Sequence, residues 1–259
     1  MSGNKRVTRA LQERDWKLMR ALAAMRVVDR EQARIIGGIG STTRVNEWLL
    51  KLTRAGFLMR RFLPLKHGGD KALYSLSRQS SALVDGSGQT AGRKPGGLSI
   101  PELFLEHQLS INSIHIILKY HAIPVTGIAF LRWQTFPEPL SANAPLIPDG
   151  YFELQTPKGV RASFLEVDLG TEPLRIWKEK IKNYLALASS GEFQQKFGQT
   201  QFRVLIVCQS EGRLQSLRKL ISAFTEKVFW FSTFDLINRE TFWSPIWLRP
   251  TGELKQSLL

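Results

Sequence analysis

Three carboxylates stand out by type and spacing. Pro148-Asp149-Gly150 opens one apolar stretch, and Glu166-Val167-Asp168 lies in the next, 17 residues further on. Along an extended chain residues i and i+2 share a face, so Glu166 and Asp168 project together. If the two strands are neighbours, Asp149 joins them. Acids crowded in this way repel one another unless a hard cation such as Mg2+ neutralises them. The bound cation then activates water and stabilises the charge that builds up on a phosphodiester. Asp149, Glu166 and Asp168 are therefore the candidate metal ligands and catalytic acids. The structural alternative is that Asp149 ends a turn while Glu166 forms an ion pair with Lys178 or Lys182. Those two lysines share one face of the helical pattern that follows, and Lys180 is expected to point elsewhere.

A second set suits nucleic acid rather than catalysis. Thr42, Thr43, Arg44 and Asn46 open a helical stretch from which side chains of these types reach base edges, and Lys51 and Arg54, later in the same stretch, suit phosphates. Arg60, Arg61, Lys66, His67 and Lys71 surround a Gly68-Gly69 turn and suit backbone contacts. Charge supports the division. Residues 1–80 hold 17 Lys and Arg against 6 Asp and Glu, whereas residues 81–259 hold 19 against 16. Positive charge concentrated on one region favours a polyanion, because neutralised phosphates release condensed counterions.

These residues need elements to hold them. Leu11, Trp16, Met19, Leu22 and Met25 recur at helical spacing, which predicts a first helix over 13–25. Asp29 caps a short second helix over 30–36. Ser41 caps a third, with Val45, Trp48, Leu49 and Leu52 on its inner side and Gly56 closing it. Apolar strands on either side of the Gly-Gly turn predict a hairpin. Three helices and a hairpin give a winged helix-turn-helix over residues 1–80, whose third helix enters the major groove of double-stranded DNA. The Gly- and Ser-rich residues 81–98 read as a flexible linker. Residues 99–259 carry one helix, a strand meander and then alternating strands and helices, the pattern of an α/β domain with a mixed central sheet. The fold class is thus α+β in two domains.

Asp149 and Glu166 resemble the metal-binding acids of the PD-(D/E)xK nuclease superfamily, presented on adjacent strands of a restriction-endonuclease-like α/β core. That motif ends in a lysine two residues after the second acid, where this chain has Asp168. Lys178 or Lys182 is the expected substitute. The chain resembles one family more closely, the plasmid replication-relaxation proteins. The resemblance is carried by Leu11-Gln12-Glu13-Arg14-Asp15, Leu52-Thr53-Arg54-Ala55-Gly56-Phe57-Leu58, His107-Gln108-Leu109-Ser110-Ile111-Asn112, Pro148-Asp149-Gly150 and Phe164-Leu165-Glu166-Val167-Asp168-Leu169-Gly170-Thr171-Glu172, followed by Lys182-Asn183-Tyr184. It implies a role in the replication, maintenance or transfer of a plasmid or other mobile element. Three readings follow from it. The second domain is a nuclease fold that binds Mg2+ without cutting, an active Mg2+-dependent endonuclease or nickase, or a platform for a replication initiator or relaxase. A homodimer is compatible with each.

Other chemistry is excluded by composition. One cysteine, Cys208, allows neither an intramolecular disulfide nor a thiol-rich zinc site, and four scattered histidines do not supply one. His107 and His115 lie two helical turns apart, too far to share a metal. No apolar run is long enough to span a bilayer and the first residues lack a signal-peptide core, so a cytoplasmic protein without membrane contact is expected.

Overall fold

The structure is a computed structural model that describes residues 10–65, 68–85, 102–143 and 145–259. The chain divides into two compact units, the first ending at Ile116 and the second beginning at Ile117. Among the described residues there are eight α-helices and two sheets, an α+β fold, and no helix is long and apolar enough to cross a membrane.

The first unit opens with α1 (Glu13–Met25), the two-residue strand β1 (Val28–Asp29), α2 (Arg30–Gly37) and α3 (Thr42–Arg54). The expected caps do their work: the Asp29 carboxylate accepts the Gln32 N–H at 2.8 Å, and the Ser41 hydroxyl accepts from Arg44 N at 3.5 Å. Gly56 ends α3 at a φ of 80°, a conformation that favours glycine. Strands β2 (Leu58–Pro64) and β3 (Asp70–Leu76) pair antiparallel, and β1 adds to the free edge of β3. Val45, Trp48, Leu49 and Leu52 turn one face of α3 inward. The Trp48 indole N–H donates to the fully buried Asp15 at 2.7 Å, which ties α3 to the first turn of α1.

Two features depart from the sequence reading. Residues assigned to the linker begin with a helix, α4 (Arg78–Asp85), seeded where the Ser80 hydroxyl bonds back to the Phe57 carbonyl. Residues 86–98 lie outside the described residues. The next helix, α5 (Glu102–Tyr120), falls in the second domain on the sequence reading, yet most of it belongs to the first unit. Leu105 and Leu109 join Val27, Leu63 and Leu73 in one core cluster. Asn112 donates to the carbonyls of Met25 and Val27 at 3.2 and 2.6 Å, and Gln32 donates to the Leu109 carbonyl at 2.9 Å. These bonds tie α5 to α2 and to the turn after α1.

The second unit is built on a five-stranded mixed sheet in chain order: β4 (Ala129–Gln134), β5 (Gly150–Thr156), β6 (Gly159–Asp168), β7 (Phe202–Cys208) and β8 (Phe229–Thr233). The first three strands run antiparallel to their neighbours, and β6, β7 and β8 are parallel. Parallel strands need crossovers, supplied by α6 (Leu174–Ser189) with α7 (Glu192–Phe197), and by α8 (Glu211–Ser222). Trp177, Ile181, Tyr184 and Leu187 on α6 pack with Phe164, Val204, Ile206 and Phe229 in the main core. Cys208 is buried there as a small apolar group, and burial pushes its thiol up to about 12.

Candidate functional site

In the first unit the functional candidates fall on the outer side of α3. Because Val45, Trp48, Leu49 and Leu52 fix the inner side, helical geometry sends Thr42, Thr43, Arg44, Asn46, Lys51 and Arg54 outward, and all six are exposed. An open concavity of about 850 Å3 lies along this face, lined by Arg14, Arg44, Trp48, Lys51 and Arg54 together with Glu47. Arg14, absent from the sequence candidates, reaches it from α1 and places its guanidinium 5.3 Å from the centre of the Trp48 ring. Among the described residues no ion pair engages Arg44, Lys51 or Arg54.

The hairpin divides its candidates. Arg60 is exposed and lies 5.1 Å from the ring of the exposed Phe62. Arg61 is half-buried. Lys71 does not stand free for a phosphate as expected, for its ammonium sits 3.5 Å from the Asp29 carboxylate that caps α2. Lys66 and His67 lie outside the described residues.

The acids of the second unit behave differently. Glu166 and Asp168 do share a face of β6, and both are buried. Gly150 pairs with Leu165, so Asp149, one residue earlier, comes level with Glu166. The close approach of Trp133 there requires glycine: a Cβ on Gly150 would lie 2.4 Å from its ring. Asp149 then does the work of a strand. Its carboxylate accepts the Val167 N–H at 2.7 Å, beyond the last backbone pair between β5 and β6.

Glu166 is held by α6 at both oxygens. The Lys180 ammonium lies 3.0 Å from Oε2, and the Tyr184 hydroxyl donates to Oε1. Lys180 also reaches Glu172 at 2.9 Å. Burial pushes the Glu166 carboxyl up to about 7, against the attraction of Lys180 and with a further push from Asp149. Its partners move as such a network requires. Lys180 is raised, because the attraction of Glu166, Glu172 and Asp149 outweighs its burial. Tyr184 is raised by burial and by the Glu166 charge.

Asp168 is more fully engaged. Its Oδ1 accepts from Gly170 N and Arg213 Nε, each at 2.8 Å, and its Oδ2 accepts from the Trp177 indole at 2.7 Å and Arg213 Nη2 at 2.8 Å. Four donors fill the four lone-pair directions of a carboxylate. The Arg213 guanidinium is raised by that pairing.

The lysine expectation is corrected. Lys178 is exposed, and Lys182 is turned outward to Glu179 at 3.0 Å. Lys180 is the residue that meets Glu166. The inner face of α6 runs through Trp177, Ile181 and Tyr184, and Lys180 lies three residues after the first and four before the last, whereas 178 and 182 lie off that line. The spacing from Trp177 and Tyr184 was the signal that could have found it.

Magnesium needs several oxygen lone pairs converging at about 2.1 Å. Here the carboxylates point theirs at N–H and O–H donors instead, and no group of three or more His, Cys, Asp or Glu side chains suited to a metal occurs among the described residues. This donor set does not fit the ion.

A family model described as replication-relaxation matches residues 19–201. No curated protein and no solved structure matches the chain.

Proposed function

The chain belongs to the replication-relaxation family, and from that membership we propose that it acts on a plasmid or other mobile element by binding double-stranded DNA through the first unit. The order of three helices followed by a hairpin is that of a winged helix-turn-helix, with α3 as the element that enters the major groove. The observation that carries this reading is the outer face of α3. Arg44, Lys51 and Arg54 are exposed, without ion-pair partners among the described residues, beside a concavity that Arg14 also lines. Cations left unneutralised by the protein are those that release counterions when they meet phosphate. Thr42, Thr43, Arg44 and Asn46 at the start of the helix read bases, and Lys51 and Arg54 hold the backbone.

In the second unit Asp149, just before β5, comes level with Glu166 on β6, and we liken this arrangement to the PD-(D/E)xK superfamily, with Lys180 as the lysine supplied from α6. We read this constellation as one retained for structure, because its acids are committed to Lys180, Tyr184, Arg213 and backbone N–H groups. No cleavage step is assigned to it.

The test is fluorescence anisotropy of the full chain on labelled duplexes over a range of salt. Replacing Arg44 and Asn46 by Ala should weaken binding to the preferred sequence more than to random DNA. Equal losses on both would remove α3 from the groove.

A further inference from the structure

The second unit carries another cationic cluster, at the opposite end of β6 and β7 from the acids. Arg161 lies near the start of β6, Arg203 near the start of β7 and Trp230 near the start of β8. Ser163 pairs with Arg203 and Leu205 with Trp230, so alternation along the strands sends Arg161, Arg203 and Trp230 to one face of the sheet. Arg249 closes the group. The guanidinium carbons of Arg203 and Arg249 lie 4.5 and 4.6 Å from the centre of the Trp230 ring. All three arginines are half-buried.

Nothing among the described residues neutralises them. Arg203 donates to the Leu258 carbonyl and Arg249 to that of Glu226 at 3.1 Å, but among the described residues no carboxylate forms an ion pair with any of the three. Burial and the nearby Arg161 and Arg249 lower Arg203 to about 10, and burial lowers Arg249. A cluster of like charges is costly to bury without a counter-ion. A second, independent sign is the indole N–H of the buried Trp230, which has no acceptor among the described residues. Buried donors are normally paired, so an indole N–H without an acceptor, on the ring that carries two guanidiniums, is a polar group still lacking a partner.

We propose that Arg161, Arg203, Arg249 and Trp230 form a phosphate-binding site on the second unit, separate from the α3 face. Guanidinium groups match phosphate oxygens in pairs, and a ring that carries two of them fixes their positions before the anion arrives. The phosphate is either a phosphodiester of DNA or a free phosphate group.

The experiment uses the full chain. Its melting temperature is followed in inorganic phosphate and in chloride at matched ionic strength, for the wild type, Arg161→Gln, Arg249→Gln and Trp230→Phe. Arg161 is the first choice, because its side chain makes no hydrogen bond or ion pair among the described residues and its loss spares the fold. Phosphate should raise the wild-type melting temperature above that in chloride. The half-saturating concentration should rise about tenfold for each arginine removed. Trp230→Phe, which keeps the charges, should weaken phosphate binding too, a result that diffuse attraction does not produce. A wild type that responds equally to both anions overturns the site, as does an Arg161→Gln chain that responds like the wild type.

A second arm separates the sources. If DNA supplies the phosphate, the salt slope for a random duplex falls by about one for Arg161→Gln. An unchanged slope with a lost phosphate response assigns the site to free phosphate. A chain lacking the α3 cations should keep its phosphate response, so failure of the α3 reading and failure of this site are told apart.

Discussion

The outer face of α3 and the acids of β6 have the same kind of residue, charged side chains at regular spacing, and opposite fates. Arg44, Lys51 and Arg54 point outward from a helix whose other side is anchored by Trp48 and Leu49, and among the described residues no ion pair occupies them. Glu166 and Asp168 point inward from a strand whose neighbours are Trp177, Lys180, Tyr184 and Arg213, and every one of their oxygens accepts a bond. The difference teaches that charge is available for an external ligand only where the fold has not supplied the partner itself. In the first region the sequence shows residues that can act. In the second, similar spacing marks residues already in use.

The strongest way to break this contrast is Asp168→Ala. Removing the acid leaves Arg213 with its guanidinium held among buried groups and the Trp177 indole without an acceptor. Breaking such a pair costs about 3–5 kcal/mol. Urea unfolding of the full chain measures it. A loss below about 1 kcal/mol would mean that Arg213 turns to water, and that Asp168 is freer than its bonds imply.

The next largest effect concerns Glu166 and pH. Its folded carboxyl titrates near 7, above the ordinary 4.5. The folded chain therefore holds the proton more tightly than the unfolded one. The stability linked to Glu166 is complete below about pH 4.5 and is lost as pH rises through about 7. Glu166→Gln imitates the protonated acid and keeps an acceptor for Tyr184. Its stability curve should be flatter than that of the wild type across this window, and by pH 8 the difference should favour the variant by about 3 kcal/mol. A variant that is less stable than the wild type at pH 8 would show that the attraction of Lys180 outweighs burial.

A change on α3 should leave stability alone and act on DNA. Replacing Arg44, Lys51 and Arg54 together by Ala removes three exposed cations and should weaken duplex binding about a hundredfold in 0.1 M salt, with the salt slope reduced by about three. Melting temperature should stay within a degree or two, since exposed substitutions cost little. If affinity is unchanged, the cationic face lies elsewhere on the protein.

Legibility in the sequence followed the same division. Asp29, Ser41 and Gly56 could be read in advance because caps and left-handed turns depend on residues three or four apart. That β5 and β6 are neighbours is in the sequence only a condition on two apolar runs, and the structure meets it. Lys180 is not legible from the spacing among the lysines, which groups Lys178 with Lys182; only its spacing from the apolar stripe of α6 turns it inward. The helix α5 was given to the wrong unit for a related reason. Its partners, Gln32 and the carbonyls of Met25 and Val27, lie about 80 residues away in sequence, and no local pattern records a bond of that span. Arg213 lies 45 residues beyond Asp168, and its bond is likewise outside any local pattern.

The smallest expected effect is the one that bears most on chemistry. Added Mg2+ should leave the melting temperature of the wild type where chloride salts of equal ionic strength leave it. A ligand that binds only the folded chain raises stability by mass action, so a flat response means that the acids take no metal. The geometry gives the reason: a cation at Glu166 would have to displace Lys180, and one at Asp168 would have to displace Arg213, each a positive charge already in place. Asp149→Ala sharpens the result. Without the carboxylate, the Val167 N–H loses its acceptor, which should cost the apo chain about 1–2 kcal/mol, and the cost should be the same with and without Mg2+. Were the three acids an empty metal site, removing one would relieve repulsion, the apo variant would melt no lower than the wild type, and Mg2+ would separate the two. That outcome, together with nicking of supercoiled plasmid in Mg2+ or Mn2+, would turn the buried network of β6 back into a centre of catalysis.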